Sequence, residues 1–334
     1  MSSTSDKSST SSSGLSAQTL VIAGIVWAVL ALLFFLLFSV PISEEEGLPA
    51  WYTYGTYIFE LGAFLGASLV CYRNWQSPQM VSGRSVWLGI GMGMFLYFLG
   101  SGMFGVWELI FQLDPDVSIA DFFYLLSYLF LGWGMVLAVT SKKVNLEGWQ
   151  WGVLAGVAVL GTTLAVWVAS PTFFGLLPSS APALEQVSPE AAAQIEAEIA
   201  PALEEEAVEA EEEPTAPGWV LSLDEQLAPF AYPVNLFYII GDVILLIIAT
   251  ALLLAFWGGR FSQSWRMIAA ATFSLYIADM YFKWKDSLPA ADYESGGLLE
   301  VFFVFTGILF GIGAVLEFDI STRSRQSRRR GRGG

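Results

Sequence analysis

Long apolar stretches alternate with short polar breaks along the whole chain. Eight stretches run for about 20 residues or more, at 17–42, 51–73, 84–107, 118–140, 149–170, 231–257, 264–284 and 297–318. About 20 apolar residues rising 1.5 Å each cross roughly 30 Å of hydrocarbon, so each stretch predicts a membrane-spanning helix. The short alternating segments of a β-barrel are absent from the pattern. The expected fold is an all-α integral membrane protein with eight transmembrane helices. The first stretch is too long for a signal-peptide core, follows a serine-rich tail and lacks a clean small-residue cleavage site, so it is expected to be a retained helix.

The polar segments divide the chain further. Residues 1–16 read as a disordered Ser-rich cytoplasmic tail, 17–170 as helices one to five, and 171–230 as an acidic extracytoplasmic loop. Residues 231–318 hold helices six to eight, and 319–334 form a basic cytoplasmic tail. The insertion contains "SPEAAAQIEAEIAPALEEEAVEAEEEP" and no lysine or arginine. Ser188-Pro189-Glu190 is a reasonable helix start, whereas the later glutamate repeats repel one another and favour a solvated spacer. Residues about 180–216 are therefore expected to be dispensable for folding.

Charge orients the helices. The net charge is −16, yet thirteen of the fifteen basic residues fall on one face of an eight-helix arrangement. They include Lys7, Arg73, Arg84, Lys142, Lys143, Arg260, Arg266 and six arginines in "STRSRQSRRRGRGG", while Lys283 and Lys285 lie opposite, at the outer end of helix seven. The positive-inside rule makes the basic face, with both termini, cytoplasmic. The expected location is a cytoplasmic (inner) membrane, with a thylakoid-type internal membrane left open. The lipid bilayer is then the first partner. The arginine-rich tail suits anionic lipid headgroups, at about 1 kcal/mol per basic residue near the surface, better than nucleic acid. Lys283 and Lys285 are expected to snorkel to the interface, and Trp51, Trp75, Trp107, Trp149 and Trp219, at helix ends, to anchor there.

The chemistry available is narrow. The chain has no histidine and one cysteine, Cys71. Histidine-ligated haem, histidine zinc sites, Ser-His-Asp or Cys-His catalysis and disulfide frameworks within the chain are thereby excluded. No cofactor, metal site or enzymatic activity is expected.

Three helices carry polar residues where grease is expected. Gapless overlay of helices four, six and eight places Asp121 on Asn235 and Glu300, Tyr124 on Tyr238 and Phe303, and Tyr128 on Asp242 and Gly307. Gly132 and Gly134 match Gly311 and Gly313, and upstream Tyr97 falls on Tyr276. This predicts three tandem helical-hairpin repeats, 3–4, 5–6 and 7–8, with helices one and two as a degenerate fourth copy. Positions i, i+3 and i+7 share a helix face, so the stripes are expected to face the bundle interior, with the glycines below them allowing close packing. The candidate ligand or ion cavity comprises Asp121, Tyr124, Tyr128, Asn235, Tyr238, Asp242 and Asp279, in the outer half of the bundle, with Glu60 and Glu300 as additional members. Asp242 lies deepest, with no lysine or arginine at comparable depth, and is expected to hydrogen-bond a tyrosine.

The run Ser118-Ile-Ala-Asp121-Phe-Phe-Tyr124-Leu-Leu-Ser-Tyr128 resembles a signature of the multi-helix membrane sensor region found N-terminal to bacterial diguanylate cyclases and sensor histidine kinases. The likeness continues in "AYPVNLFYIIGDVILL", "SLYIADMYF" and "YESGGLLEVFFVFTGILFGIGA", in the same order, across roughly residues 84–318. The resemblance implies a sensory or scaffold module. In that family a coiled linker and an output domain follow the last helix. Here the short basic tail follows, so output is expected from a separate kinase, cyclase or membrane-complex partner. Two alternatives stand beside this: an ion- or proton-coupled transporter using the carboxylates Glu60, Asp242 and Asp279, and an accessory subunit of a larger membrane complex.

Overall fold

The computed structural model describes residues 16–40, 47–113, 115, 117–140, 146–174, 216–257, 262–286 and 295–330. Among them every regular element is helical: α1 (Ala17–Phe38), α2 (Ala50–Gln76), α3 (Arg84–Phe111), α4 (Ile119–Thr140), α5 (Gly148–Phe174), α6 (Gly218–Leu227), α7 (Ala231–Ala255), α8 (Ser262–Asp286) and α9 (Val301–Arg330). Single 3₁₀ turns, Ala228–Phe230 and Leu298–Glu300, lead into α7 and α9.

Local chemistry sets the ends. Ser16 caps α1 by accepting from the Thr19 amide at 3.1 Å. α3 stops where Gln112 turns left-handed (φ 54°), which lets the Leu113 amide reach back to the Trp107 carbonyl. α4 and α9 start alike. The Asp121 carboxylate accepts from the Ser118 amide at 2.7 Å, and the Glu300 carboxylate accepts from the Gly297 amide at 3.0 Å. Each acid satisfies an amide that the first turn leaves without a helical partner.

Seven helical stretches are long and apolar enough to cross a membrane: α1 to α5, the continuous α6–α7 run, and α9 with its leading turn. The expected eighth span, α8, has 25 residues, which at 1.5 Å each is about as long as its neighbours, but it is less apolar. Asp279 and Lys283 account for part of that polarity, and both face the interior of the bundle. Two further differences concern the polar segments. The expected acidic loop contains α6, whose Val220 packs with the neighbouring Ala216 on Trp107. The backbone of α9 also stays helical to Arg330, twelve residues into the expected basic tail. The helix start at Ser188, the glutamate repeats, Lys142, Lys143 and Arg260 lie outside the described residues. So does most of the segment expected to be dispensable, but its last residue, Ala216, is buried.

Six helices close into a ring, in the order α2, α3, α4, α7, α8, α9 and back to α2. α1 lies outside the ring, against α9 and against the aromatic face of α2, where Phe34 stacks on Tyr52 and the Trp27 indole donates to the Phe59 carbonyl at 3.0 Å. α5 lies outside against α7 and α8. The outward faces of both outer helices are apolar, with Leu37 69%, Leu160 72% and Trp167 61% exposed.

The ring is filled differently at its two ends. Where α3 and α8 begin and α4, α7 and α9 run toward their ends, it is mainly apolar, with Asn74 and Glu317 also buried. Trp87, Ile90, Leu131, Met135, Ala249 and Trp265 belong to one continuous apolar cluster there. Close approach makes this possible. A Cβ on Gly134 would stand 2.8 Å from the Ile90 nitrogen and 2.9 Å from the Val86 oxygen. A Cβ on Gly313 would stand 2.9 Å from Ile268 Cγ1 and 3.1 Å from the Ser264 oxygen. Gly132 and Gly311, expected to act likewise, have no neighbour closer than 3.6 Å.

The contacts of the α3–α4 pair recur in the α8–α9 pair. Ser127 donates to the Gly93 carbonyl (2.8 Å), and Thr306 donates to the Ala271 carbonyl (3.3 Å). Tyr276 points away from the ring interior and donates to the Gly161 carbonyl of α5 at 2.5 Å.

Candidate functional site

The other end of the ring encloses a cavity of about 120 Å³. All six ring helices contribute to its wall. α2 supplies Thr56, Tyr57 and Glu60; α3 supplies Tyr97; α4 supplies Asp121, Tyr124 and Tyr128. α7 brings Asn235 and Tyr238, α8 brings Asp279 and Lys283, and Glu300 and Phe303 close the circle. A space of this size holds a few waters or a small organic molecule.

The structure brings together eight of the nine residues singled out from the sequence. Asp242 is the exception, since it is not on the wall. It lies behind Tyr128, 2% exposed, with Oδ1 bonded to the Tyr128 hydroxyl and with the Asp279 side chain in hydrogen-bonding reach. The same hydroxyl lies 2.6 Å from Asp279 Oδ2. A phenol carries one hydrogen, so two carboxylate oxygens on one phenol need a second hydrogen from one of the aspartates. Tyr128 thus ties α4 to both α7 and α8 through a shared proton inventory.

Around this pair run two further polar chains. Tyr124 donates to Ser101 (3.2 Å), which donates to Glu60 Oε1 (2.5 Å). Tyr238 donates to Asp121 Oδ1 at 2.7 Å, so the acid that caps α4 also holds α7. At the rim, Tyr57 donates to Glu108, which also accepts from the Ser295 amide at 3.3 Å. Glu300 accepts from the Gly296 amide at 2.8 Å as well as from Gly297. Gly296 needs its positive φ of 116°, and a Cβ there would sit 2.7 Å from the Tyr52 ring. Tyr52 donates to the Gly296 carbonyl at 2.7 Å.

Tyr97 forms the boundary between cavity and apolar plug. Its ring stacks on Phe64 at 4.2 Å and meets Tyr124 edge-on at 4.8 Å.

Lys283 does not follow the snorkelling expected of it. Its ammonium donates to Asn235 Oδ1 at 3.0 Å and lies 4.7 Å from the centre of the Tyr238 ring. Asn235 and the Tyr238 ring face hold the charge at the cavity wall. Trp107 also departs from the expected interface role. It is 2% exposed beneath α6, and its indole N–H donates to Asp224 at 3.1 Å.

Tyr57, Tyr97, Ser101, Glu108 and Lys283 were missed as site residues by reading helices singly. Tyr57 and Glu60 sit three apart on α2, the same one-face spacing that marked the α4 stripe, and that signal was present in the sequence. Among the described residues no three acidic side chains gather as they would to hold a metal ion. No protein-family model, no curated protein and no solved structure matches the chain, so the function of this cavity has to be read from its own chemistry.

Proposed function

We propose that the chain is a multi-pass membrane protein that binds a small polar ligand in the ring cavity, as a sensory or scaffold module without catalysis of its own. The observation that carries this is the asymmetry of the ring, a polar cavity at one end and a mainly apolar plug at the other. A site walled by six helices and closed at its base can translate occupancy into a change of helix packing. The resemblance to membrane sensor regions points the same way, and output then comes from a partner kinase, cyclase or membrane complex. The matched contacts of α3–α4 and α8–α9 support the repeat. The outer faces of α1 and α5 suit lipid. Arg73, Arg84, Arg266 and Arg323 gather at the plug end, which favours a cytoplasmic plug end with the cavity facing the opposite side.

A second reading, an ion- or proton-coupled transporter, is favoured by one observation, the two aspartates sharing the Tyr128 phenol. Buried intramembrane carboxylates of this kind mark proton relays.

The test is a thermal-stability screen of small polar compounds on the purified chain in detergent, run beside Thr56→Leu, which adds bulk to the cavity wall. The binding reading expects compounds that raise the wild-type midpoint and leave the variant unmoved, since a ligand at 100 times its Kd adds about 2.7 kcal/mol. A screen with no such compound contradicts it. Solute uptake into proteoliposomes that follows a proton gradient and is lost in Asp242→Asn would decide for the transporter.

A further inference from the structure

We infer that the cavity takes a small organic cation, a protonated amine or quaternary ammonium, with Glu60 as its counter-charge. The inference rests on the binding reading above and names the ligand class for the same site.

The wall carries four carboxylates against one lysine. Three of the four are committed to the protein. Asp121 accepts from the Ser118 amide on one oxygen and from Tyr238 on the other. Glu300 accepts from two backbone amides, and Asp279 is held both by Tyr128 and by a side-chain hydrogen bond with Asp242. Glu60 differs. Ser101 occupies Oε1, and among the described residues no protein donor meets Oε2. A carboxylate oxygen facing a cavity without a donor is a place for a donor from the ligand.

The remaining wall is aromatic. Tyr97, Tyr124, Tyr128, Tyr238 and Phe303 present rings to the same space. Ring faces attract ammonium groups within about 6 Å of their centres. The wall already holds one in this way, since Lys283 lies over Tyr238 with Asn235 as its acceptor. The site thus combines the two elements that recognise an organic cation, an anionic acceptor and π-faces. A bare metal ion fits less well. It asks for about six oxygens around one point, whereas these carboxylates are spread around a ring and separated by tyrosines. The volume of about 120 Å³ suits a small ligand.

The experiment uses the purified full-length chain in detergent and four probes at matched ionic strength: propylammonium chloride, 1-propanol, sodium propionate and sodium chloride. The readout is the thermal midpoint against concentration. Propylammonium is expected to protect saturably, with a half-saturation at least tenfold below that of 1-propanol, and propionate and sodium chloride are expected to give no saturable protection. Glu60→Gln, which keeps size and an acceptor oxygen but removes the charge, is expected to weaken the propylammonium response at least tenfold. If that variant does not fold, the charge selectivity of the wild-type series decides alone. Protection by 1-propanol or propionate as strong as that by propylammonium, and abolished in Thr56→Leu, overturns the ligand class while leaving a binding cavity. Equal protection by sodium chloride overturns it in favour of a bare cation. An unweakened response in folded Glu60→Gln overturns the assignment of Glu60. No response that depends on Thr56 to any probe overturns the inference together with the binding reading.

Discussion

Gly134→Ala is expected to lower the stability of the bundle by about 2–3 kcal/mol, against a typical overpacking cost of about 1–3 kcal/mol. Its new methyl group would stand 2.8 Å from the Ile90 nitrogen and 2.9 Å from the Val86 oxygen, both backbone atoms that cannot rotate away. α3 and α4 must then separate, which also lengthens the Ser127 bond to the Gly93 carbonyl, now 2.8 Å. Alanine recovers only about 1 kcal/mol of helix propensity over glycine. Gly89→Ala is expected to act alike, since a Cβ there meets the Gly134 Cα at 2.6 Å. Gly156→Ala on the outer helix α5 is the control, because nothing lies within 4 Å of its Cβ, and it should leave stability unchanged or slightly raised. Thermal midpoints of the three variants in one detergent decide the matter. A neutral Gly134→Ala would mean that α3 and α4 do not approach this closely.

The second large effect is expected at Tyr128. Removing its hydroxyl in Tyr128→Phe leaves Asp242, 2% exposed, with no hydrogen bond but the one to Asp279. It also strips the phenol from Asp279. Leaving a buried acid short of a hydrogen bond costs about 1–3 kcal/mol, so destabilisation of about 2 kcal/mol is expected. Most of that cost is the buried acid and not the lost bond. The double variant Tyr128→Phe/Asp242→Leu, which removes the acid as well, is therefore expected to be more stable than Tyr128→Phe alone. A coupling of about 1–3 kcal/mol in the double-mutant cycle is the expected outcome. Strict additivity would show that the two side chains do not share a proton inventory.

How much of this was legible in the sequence differs from residue to residue. The stripes Asp121–Tyr124–Tyr128 and Asn235–Tyr238 stood out because polar groups three and four apart on an apolar helix have only the interior to face. Asp121 was read correctly as inward-facing, but its helix-capping bond to the Ser118 amide went unread, although Ser-x-x-Asp before an apolar run is a known start signal. The ring order was not legible. Apolar faces of membrane-type helices look alike in one sequence, so nothing announced that α9 returns to α2 and carries Glu300 toward Glu60. Lys283 was placed outward because a terminal lysine usually is. Only the assembled wall shows that Asn235 and Tyr238 draw it in. α6 was missed because ten residues at the end of a glutamate-rich insertion give too short a pattern to separate from loop.

The cavity exists only if the ring closes, and closure rests on the contact between α2 and α9, elements more than 200 residues apart in the chain. The most direct measurement is a cross-link there. A Cβ on Gly311 would lie 3.8 Å from the Cβ of Ala67, the separation that a disulfide favours. In a Cys71→Ser background, Ala67→Cys/Gly311→Cys is expected to form an intramolecular disulfide on mild oxidation, seen as a reducible mobility shift at wild-type yield. Gly66→Cys/Gly311→Cys, one residue away on a face with no neighbour within 4 Å, is expected to stay reduced. Cross-linking of the Gly66 pair in preference to the Ala67 pair, or of neither in folded protein, would contradict the closed ring and the cavity with it.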